Sequence, residues 1–166
     1  MRRLLLILSL LAAPALAQTP AWAADTVVSV PGDRFDPARD AARDVAEAVA
    51  QAKAGGKRVL VDVGGEWCVW CHRLDALFTD DARLHALREQ GFVTVKVNWS
   101  KENKNEALLG QWPKVAGYPH LFVLDADGRL LQSQDTGLLE QDKGYNVDKV
   151  AAFLTRWAAP ASPSRL

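Results

Sequence analysis

Two cysteines carry the most reactive chemistry in this sequence. They lie in the stretch EWCVWCH, residues 66–72, which has the form C-x-x-C-H. Such a pair can act as a dithiol redox centre, hold a metal ion, or attach a c-type haem with the histidine as axial ligand. The elements that surround the motif favour one of these three chemistries.

The N-terminus has the composition of an export signal. Two arginines follow the initiator methionine, an apolar run covers Leu4 to Leu11, and small residues suited to cleavage end at Ala17 and Ala23. This pattern predicts a signal peptide over residues 1–23, cleaved after one of those two alanines. We therefore expect the protein to cross the inner membrane and to work in the periplasm.

The remainder has the composition of one small globular domain. The chain has 166 residues, of which 49% are hydrophobic and 24% are charged, and no linker or repeat divides it. We expect a single domain over residues 24–159, a disordered tail over 160–166, and a monomer. Basic and acidic residues number 20 each, and no basic stripe predicts a nucleic-acid partner.

Hydrophobic periodicity predicts alternating helices and strands. Helices are predicted over residues 37–54, from 68 onward, from the cap at 79–81 to 91, over 103–110 and over 146–158, the first with Asp36 as its N-cap. Strands are predicted over residues 59–63, 92–97, 120–124 and 129–134. The order predicts an α/β fold, a mixed β-sheet flanked by helices, with an extra N-terminal helix.

The two cysteines fall where a buried strand turns into a helix. At a helix N-terminus, unpaired N–H groups and the helix dipole stabilise a thiolate, so Cys68 is the predicted nucleophile. Cys71 lies one turn further in, on the apolar face, and should be shielded. We expect Cys68 to attack a substrate disulfide and Cys71 to resolve the mixed disulfide, although the reverse direction would deliver a disulfide.

One acid lies inside the strand that precedes the motif. Asp62 comes six residues before Cys68, among valines and a leucine. Burial without a partner raises a carboxyl pKa, which would suit Asp62 to accept a proton from a buried thiol. A carboxylate hydrogen-bonded for structural reasons fits the same position, and the spacing favours neither role.

Haem and metal fit this setting less well. Haem needs a pocket for a large macrocycle, and its second axial ligand would have to be His85 or His120, since the only methionine starts the chain. For a metal such as copper(I), Cys71 and His72 would point about 100° apart on a helix, a poor chelating geometry. We therefore predict no metal and no cofactor beyond a redox-active disulfide.

Three separated motifs make the sequence resemble the thioredoxin family. Residues 61–71, VDVGGEWCVWC, are similar to the family's active-site strand and turn, residues 95–98 to its next strand, and residues 116–119 to the segment that ends in its cis-proline. The cysteine motif most resembles exported members, including the periplasmic C-terminal domain of a membrane electron carrier. The resemblance implies a thioredoxin fold over residues 57–158.

The resemblance also implies roles for individual residues. It implies Cys68 as nucleophile, Cys71 as resolving cysteine, Asp62 as buried acid with Lys96 beside it, and Pro119 as part of the substrate groove.

Other residues are expected to border the groove or to tune the thiols. They are Trp67, Trp70 and Tyr118 at the groove, and His72, Lys96 and His120 as tuning residues.

The sequence departs from thioredoxin in two places. Trp70 replaces the proline of C-G-P-C, and Gly64 stands where that family has an aromatic residue.

Together these features predict an exported thiol–disulfide oxidoreductase that reduces protein or peptide disulfides. A membrane electron-transfer protein is the expected reductant. Two alternatives stay open: an oxidase or isomerase that uses the same site, and a non-catalytic thioredoxin-like binding or chaperone module.

Overall fold

A computed structural model of the protein describes residues 34–160. The predicted signal peptide and the predicted tail after residue 160 lie outside this range.

Helices and short strands alternate along the described chain. The helices are α1 (Ala41–Gly55), α2 (Val69–Asp80), α3 (Ala82–Gly91), α4 (Glu106–Leu109) and α5 (Val147–Trp157). The strands are β1 (Arg58–Gly64), β2 (Phe92–Asn98), β3 (His120–Leu124), β4 (Leu130–Asp135), β5 (Glu140–Gln141) and β6 (Gly144–Tyr145). The predicted order of elements is confirmed, and the short β5–β6 hairpin is additional.

The main sheet has the strand order β2-β1-β3-β4. Strand β1 is parallel to β2 and antiparallel to β3, and β3 is antiparallel to β4, so the sheet is mixed as predicted. Strand β1 therefore runs through the middle, and the residues at its C-terminal end are supported on both sides.

Each face of the sheet packs against helices. Strand residues alternate between faces, so Val59, Val61 and Val63 of β1 pack in the cluster that contains the buried face of α1. Leu60 of β1 points the other way, into the cluster that contains apolar residues of α2, α3 and α5. Among residues 34–160, no helix has the length and apolar character needed to cross a bilayer.

The start of α1 differs from the prediction. The helix begins at Ala41, and its N-cap is Asp40, whose side chain accepts the Arg43 N–H. The predicted cap, Asp36, instead accepts the Ala38 N–H at 2.8 Å and closes a turn. The helix therefore starts after Asp40, four residues later than predicted. Residues 34–40 precede it as a separate segment.

Helix α4 is shorter than the predicted segment 103–110. Asn105 precedes it in the left-handed region, with φ at 48°, and donates its side-chain amide to the Asn98 carbonyl at 2.7 Å. Because short polar side chains can bind local backbone groups, they compete with helix formation. The asparagines after β2 therefore form a tight loop rather than a first helical turn.

Candidate active site at the Cys68–Cys71 disulfide

Cys68 and Cys71 are joined as a disulfide at the start of α2, with their Cα atoms 5.2 Å apart. Cys68 is the N-cap of the helix, and its Sγ accepts the Cys71 N–H at 3.1 Å. The same N–H can stabilise a Cys68 thiolate once the disulfide is reduced. Both cysteines are buried in this oxidised state, Cys68 at 4% exposed and Cys71 completely.

Gly64, the last residue of β1, lets the Cys71 sulfur approach the sheet. A Cβ atom added to Gly64 would lie only 2.5 Å from Cys71 Sγ. Because side chains of a strand alternate, Asp62 projects from the same face of β1 as Gly64. The Cys71 sulfur therefore packs against the face of β1 that also carries Asp62.

Asp62 is 2% exposed, and its Oδ1 has no hydrogen-bond partner within residues 34–160. Burial raises the pKa of Asp62 to about 7, and repulsion from Asp75 adds to the increase, while Lys96 and Arg88 oppose it. A carboxyl that titrates near neutral pH can accept and release a proton under working conditions. The geometry thus favours the proton-acceptor interpretation over the structural one.

Lys96 lies beside the buried acid, as the resemblance implied, but its ion pair is with another residue. It stands opposite Asp62 in the pairing of β1 with β2, and its ammonium binds the Asp75 carboxylate. Asp75 was missed by the sequence analysis. Its position four residues after Cys71 places both on one face of α2, which is the signal that could have identified it.

A cavity of about 590 Å³ reaches this cluster from the side of α2 and β2. Asp62, Asp75 and Lys96 contribute to its wall, together with Thr79 and Thr94. Neither cysteine lines this cavity, so it meets the buried acid on a side separate from the disulfide.

Phe35 is a second residue that the sequence analysis missed. It is 1% exposed and packs with Cys68 and Cys71 in one buried cluster. Its backbone N–H donates to Glu66 Oε1 at 2.8 Å, which ties it to the turn before the cysteines. The signal in the sequence was Gly64, which stands where thioredoxin has an aromatic residue. A glycine at this position leaves space for an aromatic side chain from another part of the chain.

Trp67 lies at the surface of the site and is 55% exposed. Its Nε1 donates to the Trp99 carbonyl at 2.8 Å, and its ring meets Tyr118 edge to face at 5.6 Å between centroids. Trp99 stacks on Tyr118 at 4.9 Å, and the peptide bond that joins Tyr118 to Pro119 is cis. Trp99 therefore belongs to the same aromatic cluster as Trp67 and Tyr118.

An apolar cleft of about 470 Å³ opens beside this aromatic cluster. Trp67 and Trp99 line it together with residues 100–102. A cleft with aromatic walls of this size can hold an apolar side chain.

Trp70 packs against the cluster that contains Cys68 and Cys71, and it also has partners of its own. Its ring meets Tyr145 edge to face at 5.6 Å, and the Arg73 guanidinium lies 4.5 Å from its centroid. The Tyr145 hydroxyl also donates to the Trp70 carbonyl at 3.4 Å. Trp67 precedes the helix N-cap whereas Trp70 lies in the first turn of α2, and the two tryptophans contact different aromatic partners.

The two candidate tuning histidines have different surroundings. His72 is exposed, and its Nε2 binds the Glu66 carbonyl at 2.8 Å. His120 is only 3% exposed, and its Nε2 contacts Ser133 Oγ at 2.8 Å. Burial lowers the pKa of His120. The His120 ring is thus buried within the protein, whereas His72 faces solvent.

The sequence model of the family described as Thioredoxin-like matches residues 40–126. The chain belongs to the thioredoxin-like family. The match includes α1, the cysteine motif, and the strands β1, β2 and β3, so the thioredoxin fold expected from the resemblance is confirmed.

Two relatives of this thioredoxin-like chain are named for thiol chemistry. It is 32% identical over 93 residues to the thiol:disulfide interchange protein DsbD of Actinobacillus pleuropneumoniae, a match that covers 55% of this chain and 16% of that protein. It is 33% identical over 95 residues to the thiol:disulfide interchange protein DsbE of Pseudomonas aeruginosa, which covers 57% of this chain and 47% of that one. The chain thus spans less than half the length of these curated relatives.

Solved structures share the same thioredoxin fold. A disulphide isomerase from Xylella fastidiosa superposes with a TM-score of 0.65 at 24% identity, over 74% of this chain and 94% of that one. The oxidised C-terminal domain of Neisseria meningitidis DsbD superposes with a TM-score of 0.55 at 21% identity, over 75% of this chain and 98% of that one.

The site of this thioredoxin-like protein holds the parts that dithiol exchange requires. A sulfur at a helix N-terminus, a shielded second sulfur and an acid that titrates near neutrality lie together at the end of β1. Within residues 34–160, no group of three or more histidine, cysteine or acidic residues is placed to hold a metal ion.

Proposed function

We propose that this protein is an exported thiol–disulfide oxidoreductase that reduces the disulfides of protein or peptide substrates. The observation that carries the proposal is the packing of the Cys71 sulfur against Gly64, on the face of β1 from which Asp62 projects. A disulfide that served only stability would not need a buried acid with a pKa raised to about 7 beside it. The dithiol is proposed to work without a metal or another cofactor.

In the forward cycle, the Cys68 thiolate attacks one sulfur of a substrate disulfide. The substrate S–S bond breaks, a mixed disulfide forms at Cys68, and the other substrate sulfur leaves as a thiolate. The Cys71 thiol then gives its proton to the Asp62 carboxylate and attacks Cys68 Sγ. The Cys68–Cys71 disulfide forms, and the substrate leaves with both sulfurs reduced.

Each turnover moves two electrons from the protein dithiol to the substrate, so the disulfide must be reduced again. A dithiol donor can do this by the same exchange in reverse. We propose a membrane electron-transfer protein as the donor, because the exported members that this chain resembles include a domain of such a carrier. The similarity to two proteins named for thiol:disulfide interchange supports the exchange chemistry.

The apolar cleft beside Trp67 and Trp99 suggests the kind of substrate. Its volume of about 470 Å³ and its aromatic walls fit an apolar side chain of a flexible polypeptide. We therefore expect Trp67→Ala to raise the KM for a polypeptide disulfide more than the KM for a small disulfide such as oxidised glutathione. Trp67→Phe keeps most of the ring surface, so its KM for the polypeptide disulfide should lie between those of the unaltered protein and of Trp67→Ala.

Reduction of insulin disulfides tests the assigned cycle. Cys68→Ser should abolish turnover, and Cys71→Ser should accumulate mixed disulfides with the substrate. The matched control is Ala76→Ser at an exposed position of α2, which introduces a serine but leaves both sulfurs in place and should keep turnover. Retained turnover in the Cys68→Ser variant would refute the assigned nucleophile.

Export and oligomeric state need their own measurements. The N-terminal residue of the protein recovered from the periplasm should be Gln18 or Ala24. Size-exclusion chromatography with light scattering should give a monomer. Recovery of the uncleaved chain in the cytosol would contradict the proposed export.

A further inference from the structure

A strap of residues 34–40 crosses the active site before α1 begins. Three contacts hold it in place. Phe35 N–H binds Glu66, the Pro37 carbonyl accepts the Asn103 side-chain amide at 2.9 Å, and Arg39 forms two hydrogen bonds of 2.6 Å with Asp44. Asp44 is itself only 2% exposed. The strap is therefore a fixed part of the site.

The Phe35 ring occupies the space that a side chain at Gly64 would have filled. A Cβ atom on Gly64 would meet Cys71 Sγ at 2.5 Å and Phe35 Cζ at 3.0 Å. The ring edge and the resolving sulfur thus converge on the same position of β1. A side chain brought from residue 35 completes the cover of Cys71.

The other side of the ring faces a positive charge. The Lys96 ammonium lies 4.5 Å from the ring centroid, and its side chain is only 7% exposed. Phe35 is thus in contact with the sulfur cluster and with the cation of the Asp75–Lys96 pair. Without the ring, a long and flexible lysine and water would both have room to approach Cys71.

Several charged or titratable groups surround this region from different elements. They are Asp62 of β1, Lys96 of β2, Asp75 and His72 of α2, Tyr145 of β6 and Glu66 of the turn. Of these, Lys96 is the cation whose ammonium contacts the Phe35 ring.

We propose that Phe35 is a positioning residue that shields the Cys71 sulfur from water and from the Lys96 ammonium, so that Cys71 remains a thiol until its proton passes to Asp62. This inference rests on the proposed role of Cys71 as the resolving cysteine. A thiolate at Cys71 would compete with Cys68 for the substrate disulfide. The shield therefore enforces the order in which the two sulfurs react.

The test measures Cys71 directly and needs no turnover. In the full-length Cys68→Ala protein, Cys71 is the sole cysteine, and its alkylation by iodoacetamide is followed as a function of pH. Adding Phe35→Ala should speed alkylation at neutral pH by about tenfold or more, since each unit of lowered pKa raises the thiolate fraction about tenfold. The midpoint of the pH profile should move to lower pH.

Matched variants separate shielding from a general loss of structure. Phe35→Leu keeps an apolar cover and should stay close to the parent rate. Adding Lys96→Met to Phe35→Ala should return the midpoint toward the parent value, because the approaching cation is gone. Arg34→Ala, at the exposed neighbouring position, should change neither rate nor midpoint.

Glu66→Ala provides a second route if Phe35→Ala does not fold. It removes the acceptor that holds the Phe35 N–H and leaves the ring in the chain, so alkylation should rise in the same direction by a smaller factor. An unchanged alkylation profile in a folded Phe35→Ala or Glu66→Ala protein would overturn the shield. Absence of insulin reduction by the unaltered protein would instead refute the proposed function.

Discussion

The Asp62 carboxyl stands opposite Lys96 in the pairing of β1 with β2, and yet Lys96 gives its ion pair to Asp75. Asp62 is thereby left buried without a bound counter-ion, and one of its oxygens has no hydrogen-bond partner within residues 34–160. Burial raises its pKa to about 7. The arrangement keeps a proton acceptor on the face of β1 against which the Cys71 sulfur packs. A tight Asp62–Lys96 pair would have favoured the ionised carboxylate.

Replacing Asp62 with asparagine should slow resolution of the mixed disulfide. In the unaltered protein, the resolving rate should rise with pH through about 7, because the ionised carboxylate accepts the Cys71 proton. Asp62→Asn should remove that inflection and reduce the rate near neutral pH on the order of a hundredfold. Stopped-flow measurement of substrate release from a preformed Cys68 mixed disulfide tests this. Asp80→Asn, at an exposed position of α2, is the control.

The Asp75–Lys96 pair should set the position of that inflection. Asp75 raises the pKa of Asp62 and Lys96 lowers it. Asp75→Asn removes the repulsion and releases the ammonium toward Asp62, so the inflection should move to lower pH. Lys96→Met should move it to higher pH. An inflection that stays in place in both variants would show that Asp62 is not the titrating group.

Stability should depend on pH in a way that isolates Asp62. Its folded pKa of about 7 lies above the ordinary value of 3.8. Between these values the folded state keeps a proton that the unfolded state has released, so the free energy of unfolding decreases as pH rises. The slope is at most about 1.4 kcal/mol per pH unit. The stabilising contribution is complete below the unfolded pKa and is lost as pH rises through about 7.

Asparagine does not titrate, so Asp62→Asn should gain stability relative to the unaltered protein as pH rises from 4 to about 7. Urea unfolding of both oxidised proteins over this range measures the difference. A difference that does not vary with pH would contradict the raised pKa.

Gly64→Ala should disturb the disulfide more than its small size suggests. The new Cβ would meet Cys71 Sγ at 2.5 Å, and overpacking of this kind costs about 1–3 kcal/mol. The loss should appear in urea unfolding of the oxidised protein. Gly144→Ala is a matched control, because a Cβ there would have no neighbour within 4 Å. Equal losses at the two positions would argue against close packing of the sulfur on β1.

Local sequence patterns were sufficient to predict strand β1, the start of helix α2 and the place of the two cysteines at that helix start. Asp62 was also predictable, because an acid inside an apolar strand stands out without any knowledge of its neighbours. Its role could not be chosen from spacing, since the decision depends on which carboxyl Lys96 binds. Lys96 of β2 pairs with Asp75 of α2. These two residues are brought together only by the folded chain, so their spacing in the sequence does not predict the pair.

Contacts over long sequence distances were beyond the sequence analysis. Phe35 and Glu66 are 31 residues apart, and the predicted helix over residues 37–54 gave no indication that residue 35 contacts the cysteines. The helix instead begins after Asp40, and Phe35 packs against the two cysteines. The contact between Trp70 and Tyr145 was not predictable for a related reason, because Tyr145 belongs to a hairpin that had not been predicted.

The direction of electron flow is the central claim, and a glutathione redox titration of the Cys68–Cys71 pair tests it most directly. The fraction of oxidised protein is measured against the ratio of reduced to oxidised glutathione. The proposed reductase should give a reduction potential near that of thioredoxin, about −270 mV. A potential near −120 mV, which is about that of the oxidant DsbA, would contradict it.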